Sequence, residues 1–458
     1  MRNKTKKNEK KGHQYHGLFY YPNDKEKKIS DLTMRIVFTL IVLIVIRIGS
    51  NIQIPGLDAK VFTKWFEEKF SSSGCFFNAL TGGSFANMSV LALNIMPVIT
   101  SSIIIQFVSM LVKPLERFMR EPDGQKIMAQ VSRYLSIGIA FVEGVLFAFV
   151  FYKNGYFTNN DALAAFTMVF ILAAGTAVVL WFADLISEYG IGNGITVILV
   201  ADILMSVPSD VAILWKNFVS TRNSVPSKFG VIIAILAIMA LFIAYVVIMQ
   251  ECEHRFLVRG SHGSSTIAHM NETIKKQNYI PLKLNSAGVM PIIFAQTILG
   301  IPAFMYALGF DVQKGVFNFI TLSFEQRNWF NVYYPEYSFG IVVYAIVLIA
   351  FFYFYANLAF NPDEIADYLR ETGGVIPGIR PGVETSRYLK KSAKAMNFIG
   401  ACVLGVASLI PVFINSFFRI GLSMGGTSTI IIVGGITEII QQIKVEKYQQ
   451  RLPKNLHR

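Results

Sequence analysis

The sequence predicts an all-α integral membrane protein whose ten transmembrane helices form two inverted five-helix halves. Three observations predict it: long uncharged apolar tracts, loops that alternate between more and less basic, and irregular segments at matching places in the two halves. Of 458 residues, 53% are hydrophobic and only 16% charged, against about 25% charged in an ordinary soluble domain. The charges cluster, so stretches such as 36–46 and 231–249 carry none. A helical span needs about 20 apolar residues. The basic N-terminal stretch runs straight into a full span without a small-residue cleavage site, which is not the pattern of a cleaved signal peptide.

Spans are predicted at roughly 32–48, 89–111, 133–151, 162–182, 194–207, 229–249, 286–308, 339–359, 397–413 and 427–441. Lysine and arginine counts orient them. The stretch to residue 31 has nine, 112–133 five, 250–285 five, 360–396 six and 442–458 five. The intervening loops hold fewer: three in 49–88, one in 152–161, three in 208–228, two in 309–338 and one in 414–426. Loop 183–193 has none. The positive-inside bias puts both termini in the cytoplasm. The predicted organisation is a basic tail at 1–31, an N-terminal half at 32–222, a C-terminal half at 223–441 and a second basic tail at 442–458.

Five is odd, so halves of five spans have opposite orientation, as in many transport proteins. The fifth span opens with Gly192-Asn193-Gly194-Ile195-Thr196 and the tenth with Gly425-Gly426-Thr427-Ser428-Thr429. Both are short, with about 14 apolar residues. The second and seventh carry prolines, in Ile95-Met96-Pro97 and Val289-Met290-Pro291, read as internal kinks. Interrupted segments at matching positions point to a functional centre. Two acidic residues, Glu143 and Asp202, also fall inside predicted spans, where charge is costly.

Other classes find little support. The net charge of +13 sits in loops, where orientation and membrane surface explain it. Cys75, Cys252 and Cys402 have no metal or redox spacing. The six histidines form no ligand motif, and the sequence has no P-loop, H-E-x-x-H or G-x-S-x-G. No enzyme, metal or cofactor is expected, and any nucleotide energy must come from a partner.

Six segments in order resemble the SecY family: RIGSNIQIPGLDA at 47–59, LTGGSFANMSVLALNIMPVITSSIIIQ at 80–106, EYGIGNGITVIL at 188–199, YIPLKLNSAGVMPIIFAQTIL at 279–299, FNPDEIADYLRETGGVIPGIRPGVETSRYL at 360–389 and GGTSTIIIVGG at 425–435. The resemblance implies a central hourglass pore through which unfolded secretory proteins cross a bacterial plasma membrane, and from which membrane segments pass sideways into lipid. It implies SecE-like and SecG-like membrane subunits, the SecA motor ATPase and the ribosome as partners.

Position by position, the resemblance implies a pore ring of Ile95, Ile99, Ile195, Leu199, Met290 and Ile431. A narrow apolar throat gates by dewetting. Met290 departs from the expected branched residue, yet its flexible side chain suits irregular contacts. The implied plug is 73–87, with Gly74, Cys75, Phe76, Phe77, Asn78, Leu80, Gly82 and Gly83; the basic residue common near a plug's end is missing from Phe85-Ala86-Asn87-Met88. The lateral gate falls between spans two–three and seven–eight, with Ser102 and Gln106 on one side and Gln296 and Thr297 on the other. Arg380, and with a weaker local match Arg255, are the implied contacts for a motor or ribosome.

Alternatives are an accessory SecY paralogue for a restricted substrate set and a secondary transporter. A transporter presents ion-coordinating groups at mid-membrane, whereas the irregular spans here present aliphatic ones.

Overall fold

The computed structural model describes residues 32–57, 62, 78, 80–120, 122–157, 162–215, 225–260, 279–307, 316–324, 328–329, 335–418 and 426–451. In chain order the helices are α1 (Leu32–Gly49), α2 (Met96–Leu111), α3 (Lys113–Arg120), α4 (Pro122–Lys153), α5 (Ala162–Tyr189), α6 (Gly194–Leu214) and α7 (Val225–Glu251). Strands β1 (Glu253–Leu257), β2 (Arg259–Gly260) and β3 (Tyr279–Lys283) follow. Then come α8 (Met290–Ala307), α9 (Val316–Phe324), α10 (Phe339–Ala359), α11 (Pro362–Thr372), β4 (Gly374–Val375), α12 (Val383–Phe418) and α13 (Gly426–Arg451).

Every predicted span coincides with a helix. Among the described residues, six helices are long and apolar enough to cross a membrane, and α2, α6 and α8 contain shorter apolar segments. The remaining span is α1, 18 residues long and rich in Ile, Leu and Val.

Three details differ from expectation. The second helix starts at Met96, not near 89, because 81–95 form turns and bends. Pro97 therefore sits in the first turn of α2, and Pro291 is the second residue of α8. There the missing N–H is an orphan in any case, and the fixed φ helps the helix begin. These prolines start helices and do not kink them; the internal prolines are Pro208, Pro302 and Pro411. The fifth and tenth helices are also longer than their apolar cores, at 21 and 26 residues. The tenth continues through polar residues to Arg451, into the predicted tail.

Packing repeats between the halves. In the first, α2 packs on α4, α4 on α5, α5 on α6 and α1 on α5. In the second, α8 packs on α10, α10 on α12, α12 on α13 and α7 on α12. Each pair maps onto its counterpart five spans on. The closest approaches between the transmembrane helices of the two halves are α6 with α13 and α2 with α8, the four spans whose sequences are irregular. One large apolar cluster runs through both halves.

Two small antiparallel pairs lie in the polar loops, a feature that apolar patterning does not signal. β1 pairs with β3, matching Arg255 to Pro281, and β2 pairs with β4, matching Arg259 to Val375. Phe256 and Leu282 from the hairpin pack with Leu369, Ile376 and Leu389, so the two large loops form one unit.

Candidate functional site

Asn193 shows how the centre is built. Its side chain accepts from the Ile195 N–H at 3.1 Å, capping α6, after Gly192 turns the chain at φ +83°. The chain thus begins a helix inside the protein, and the other three irregular segments do the same. Ile95 is the residue before α2 and Ile99 lies in its first turn; Ile195 and Leu199 open α6, Met290 opens α8, and Ile431 is the sixth residue of α13.

Four of the implied ring residues belong to the main apolar cluster and the other two pack against it. Ile95, Ile99, Leu199 and Ile431 are buried members, while Ile195 and Met290 are partly buried and pack against the cluster. Glycines in α13 permit the close approach. A Cβ at Gly435 would fall 2.3 Å from Cγ2 of Val200, and one at Gly434 would fall 2.2 Å from Cγ1 of Val289. The starts of four helices thus contribute to one apolar cluster.

The described part of the implied plug lies against this centre. Gly74, Cys75, Phe76 and Phe77 fall outside the described residues. Leu80 is fully buried in the same cluster as the ring residues. Asn78 organises the turn beyond it: its carbonyl accepts from the Gly83 N–H at 2.9 Å and its side chain accepts from the Ala86 N–H at 3.1 Å. Gly82 and Gly83 have φ of +60° and +84°, which glycine adopts freely. Phe85 packs edge-on against Phe147, with ring centroids 5.4 Å apart. The segment after α1 clamps the base of the turn, with Val90 N–H donating to the Ile52 carbonyl at 2.8 Å.

The implied gate residues divide. Gln106 on α2 is buried and faces the Tyr355 hydroxyl of α10 without meeting hydrogen-bond geometry. Gln296 faces Tyr344 of α10, whose hydroxyl also faces Ser408 of α12, so it lies in a seam within the second half. Thr297 donates to the Ile293 carbonyl of its own helix at 2.8 Å. Ser102 is half-buried. Its neighbour Ser101 bonds Ser132 on α4, with hydroxyls 2.9 Å apart. Buried amide atoms of Gln106 and Gln296 have no hydrogen-bond partner among the described residues, so packing more than polar bonding holds the seams there.

In the loop unit, Arg380 is exposed at a turn flanked by Gly378 and Gly382, and its carbonyl accepts from Thr385 Oγ1 at 2.8 Å. Arg255 is different: its Nε donates to Glu253 at 2.7 Å, and its guanidinium lies 4.7 Å from the Tyr279 ring centroid. The Glu253 hydrogen bond raises the pKa of Arg255 above its usual value. Its charge is partly answered within the loop, whereas that of Arg380 faces solvent. No cluster of metal-ligating side chains occurs among the described residues.

Fold and site together define a two-halved, multi-pass helical membrane protein whose halves share one apolar cluster. The chain belongs to the SecY family, whose family model matches residues 89–440. Among curated relatives, the protein translocase subunit SecY of Staphylococcus carnosus is 30% identical over 437 residues, covering 92% of this chain and 96% of the relative. That of Streptomyces scabiei is 32% identical over 452 residues, covering 93% and 96%. Solved structures with the same fold include one described as the structure of a protein conducting channel, with TM-score 0.67, 18% identity and coverage of 94% and 97%. Canine Sec61 in a ribosome–channel complex has TM-score 0.64, 20% identity and coverage of 94% and 96%.

Proposed function

We propose that this chain is the pore-forming subunit of a protein translocase, moving unfolded secretory proteins across a bacterial plasma membrane and releasing apolar segments into lipid. The observation that carries the reading is that one apolar cluster spans both halves and takes in the starts of four helices, with the six apolar residues of the implied ring. Aliphatic side chains offer no fixed hydrogen-bond partners, so they grip no particular sequence, and a narrow apolar constriction resists a continuous water column. Leu80, buried among them, suits a plug that fills the resting channel. The α2–α8 approach, with Gln106 facing Tyr355, suits a side exit.

Both termini lie in the cytoplasm in this reading, and the joined basic loops face the same compartment. Arg380 meets a SecA motor or the ribosome, whose acidic groups or phosphates an exposed guanidinium binds well. SecE-like and SecG-like subunits cover part of the lipid-facing wall. The reaction is transport and not catalysis; energy enters through the motor or the ribosome.

Reconstitution tests this. Proteoliposomes containing this chain, a SecE-like subunit, SecA and ATP should protect an unfolded secretory precursor from added protease. No protection above vesicles lacking the chain would contradict the proposal.

A further inference from the structure

Asp202 is an acidic residue inside a spanning helix, and the ring does not use it. It is buried on α6 one turn beyond Leu199. Intramembrane ionisable groups face a partner or a cavity and mark function by default. Here the partners come from three distant segments. Asn94, immediately before Ile95, is fully buried and donates its Nδ2–H to Asp202 Oδ2 at 2.9 Å. Gly82 lies against the same carboxylate, so that a Cβ there would fall 2.8 Å from Asp202 Oδ1. Arg47 at the end of α1 donates to the Gly82 carbonyl at 2.6 Å. The guanidinium is within electrostatic reach of Asp202. The Gly82 peptide is held between a cation and a carboxylate.

The backbone points the same way. Asn94 has φ +45° and Met88 φ +43°, a left-handed region that non-glycine residues seldom occupy. Strain of this kind persists where the surroundings over-determine it and concentrates at switch regions. The Asn94–Asp202 bond joins the entry of α2 to α6, and both carry ring residues. Separating these helices to widen the waist must break that bond and release the face on which Gly82 rests.

We propose that Arg47, Asn94 and Asp202 form a polar latch that holds the Gly82–Gly83 turn over the waist and couples release of the plug to separation of α2 from α6. The latch replaces the basic plug residue missing from 85–88. It rests on the channel reading above, with 73–87 as plug, and these residues act by positioning it.

The test is idle ion conductance in planar bilayers of the chain with its SecE-like subunit, together with export of a precursor whose signal sequence is defective. Asp202→Ala should raise resting conductance about tenfold or more, the scale of losing a charge-assisted hydrogen bond, and admit the defective precursor. Arg47→Gln should do likewise, and carries the test alone if Asp202→Ala does not assemble; the double variant should leak no more than the leakier single variant. Normal precursors should still be exported at the wild-type rate. Wild-type conductance in the variants, or leakage without admission of the defective precursor, would overturn the latch. A channel with Ile95, Ile195 and Ile431 changed to Ser serves as control. If it leaks while the latch variants stay sealed, only the latch fails; if it too stays sealed, the pore reading fails with it.

Discussion

Ile431 has no accessible surface and Ile95 almost none, so in the proposed channel side-chain contact at these positions contributes to the seal. Polar replacement there should open it to water. Ile95→Ser, Ile195→Ser and Ile431→Ser combined should raise resting conductance by about an order of magnitude or more, since dewetting requires an apolar lining. Met290→Leu should remain sealed, because the swap nearly conserves volume. Bilayer recordings read both outcomes. Arg380 poses a different residue-scale question. Its side chain forms no ion pair among the described residues, whereas Arg255 is tied to Glu253. Arg380→Glu should cripple motor-driven export with the fold intact, while Arg255→Ala should cost less; in vitro translocation and detergent unfolding curves separate the two. Sequence pattern reached the ring only through family resemblance, since an apolar residue at a centre looks like any other core residue. It raised Asp202 without a role, because Asn94 lies 108 residues away and such partnerships leave no local trace.

Helices were the legible scale. Uncharged tracts of spanning length force helix, as the bilayer core cannot hydrogen-bond an open backbone, and all ten predicted spans fall on helices. What patterning missed was where they begin. Residues 88–95 are as apolar as a helix, yet left-handed Met88 and Asn94 break them into turns, and only then does Pro97 start α2. The β1–β3 and β2–β4 pairs were equally hidden, being pairings between segments with weak local signals. At this scale α13 packs closely against α6. Gly435→Val would drive a side chain into Val200, which lies 2.3 Å from the new Cβ. Overpacking of this kind costs about 1–3 kcal/mol. The variant should unfold at lower temperature in detergent, whereas Gly405→Ala, with no atom within 4 Å of its Cβ, should not.

The whole molecule is two similarly packed halves meeting along four helices, so moving one half against the other acts on the waist and on the α2–α8 seam together. Much of the outer wall is left uncovered by the described residues. Only 11% of the apolar window of α7 is buried inside the protein, which leaves it to lipid or to another subunit. Gentle detergent extraction should therefore bring down a small SecE-like subunit of one to three spans with this chain, and mass spectrometry of the purified complex checks it.

The central claim is that another polypeptide passes through the aliphatic waist. Single cysteines at Ile95, Ile431 and, on the outer wall, Ile238 and Val342 can be tested against a precursor arrested midway and carrying one cysteine in the trapped stretch. Oxidation should join the precursor to positions 95 and 431 and leave 238 and 342 unjoined. Equal joining at all four, or joining only at the outer wall, would contradict the account.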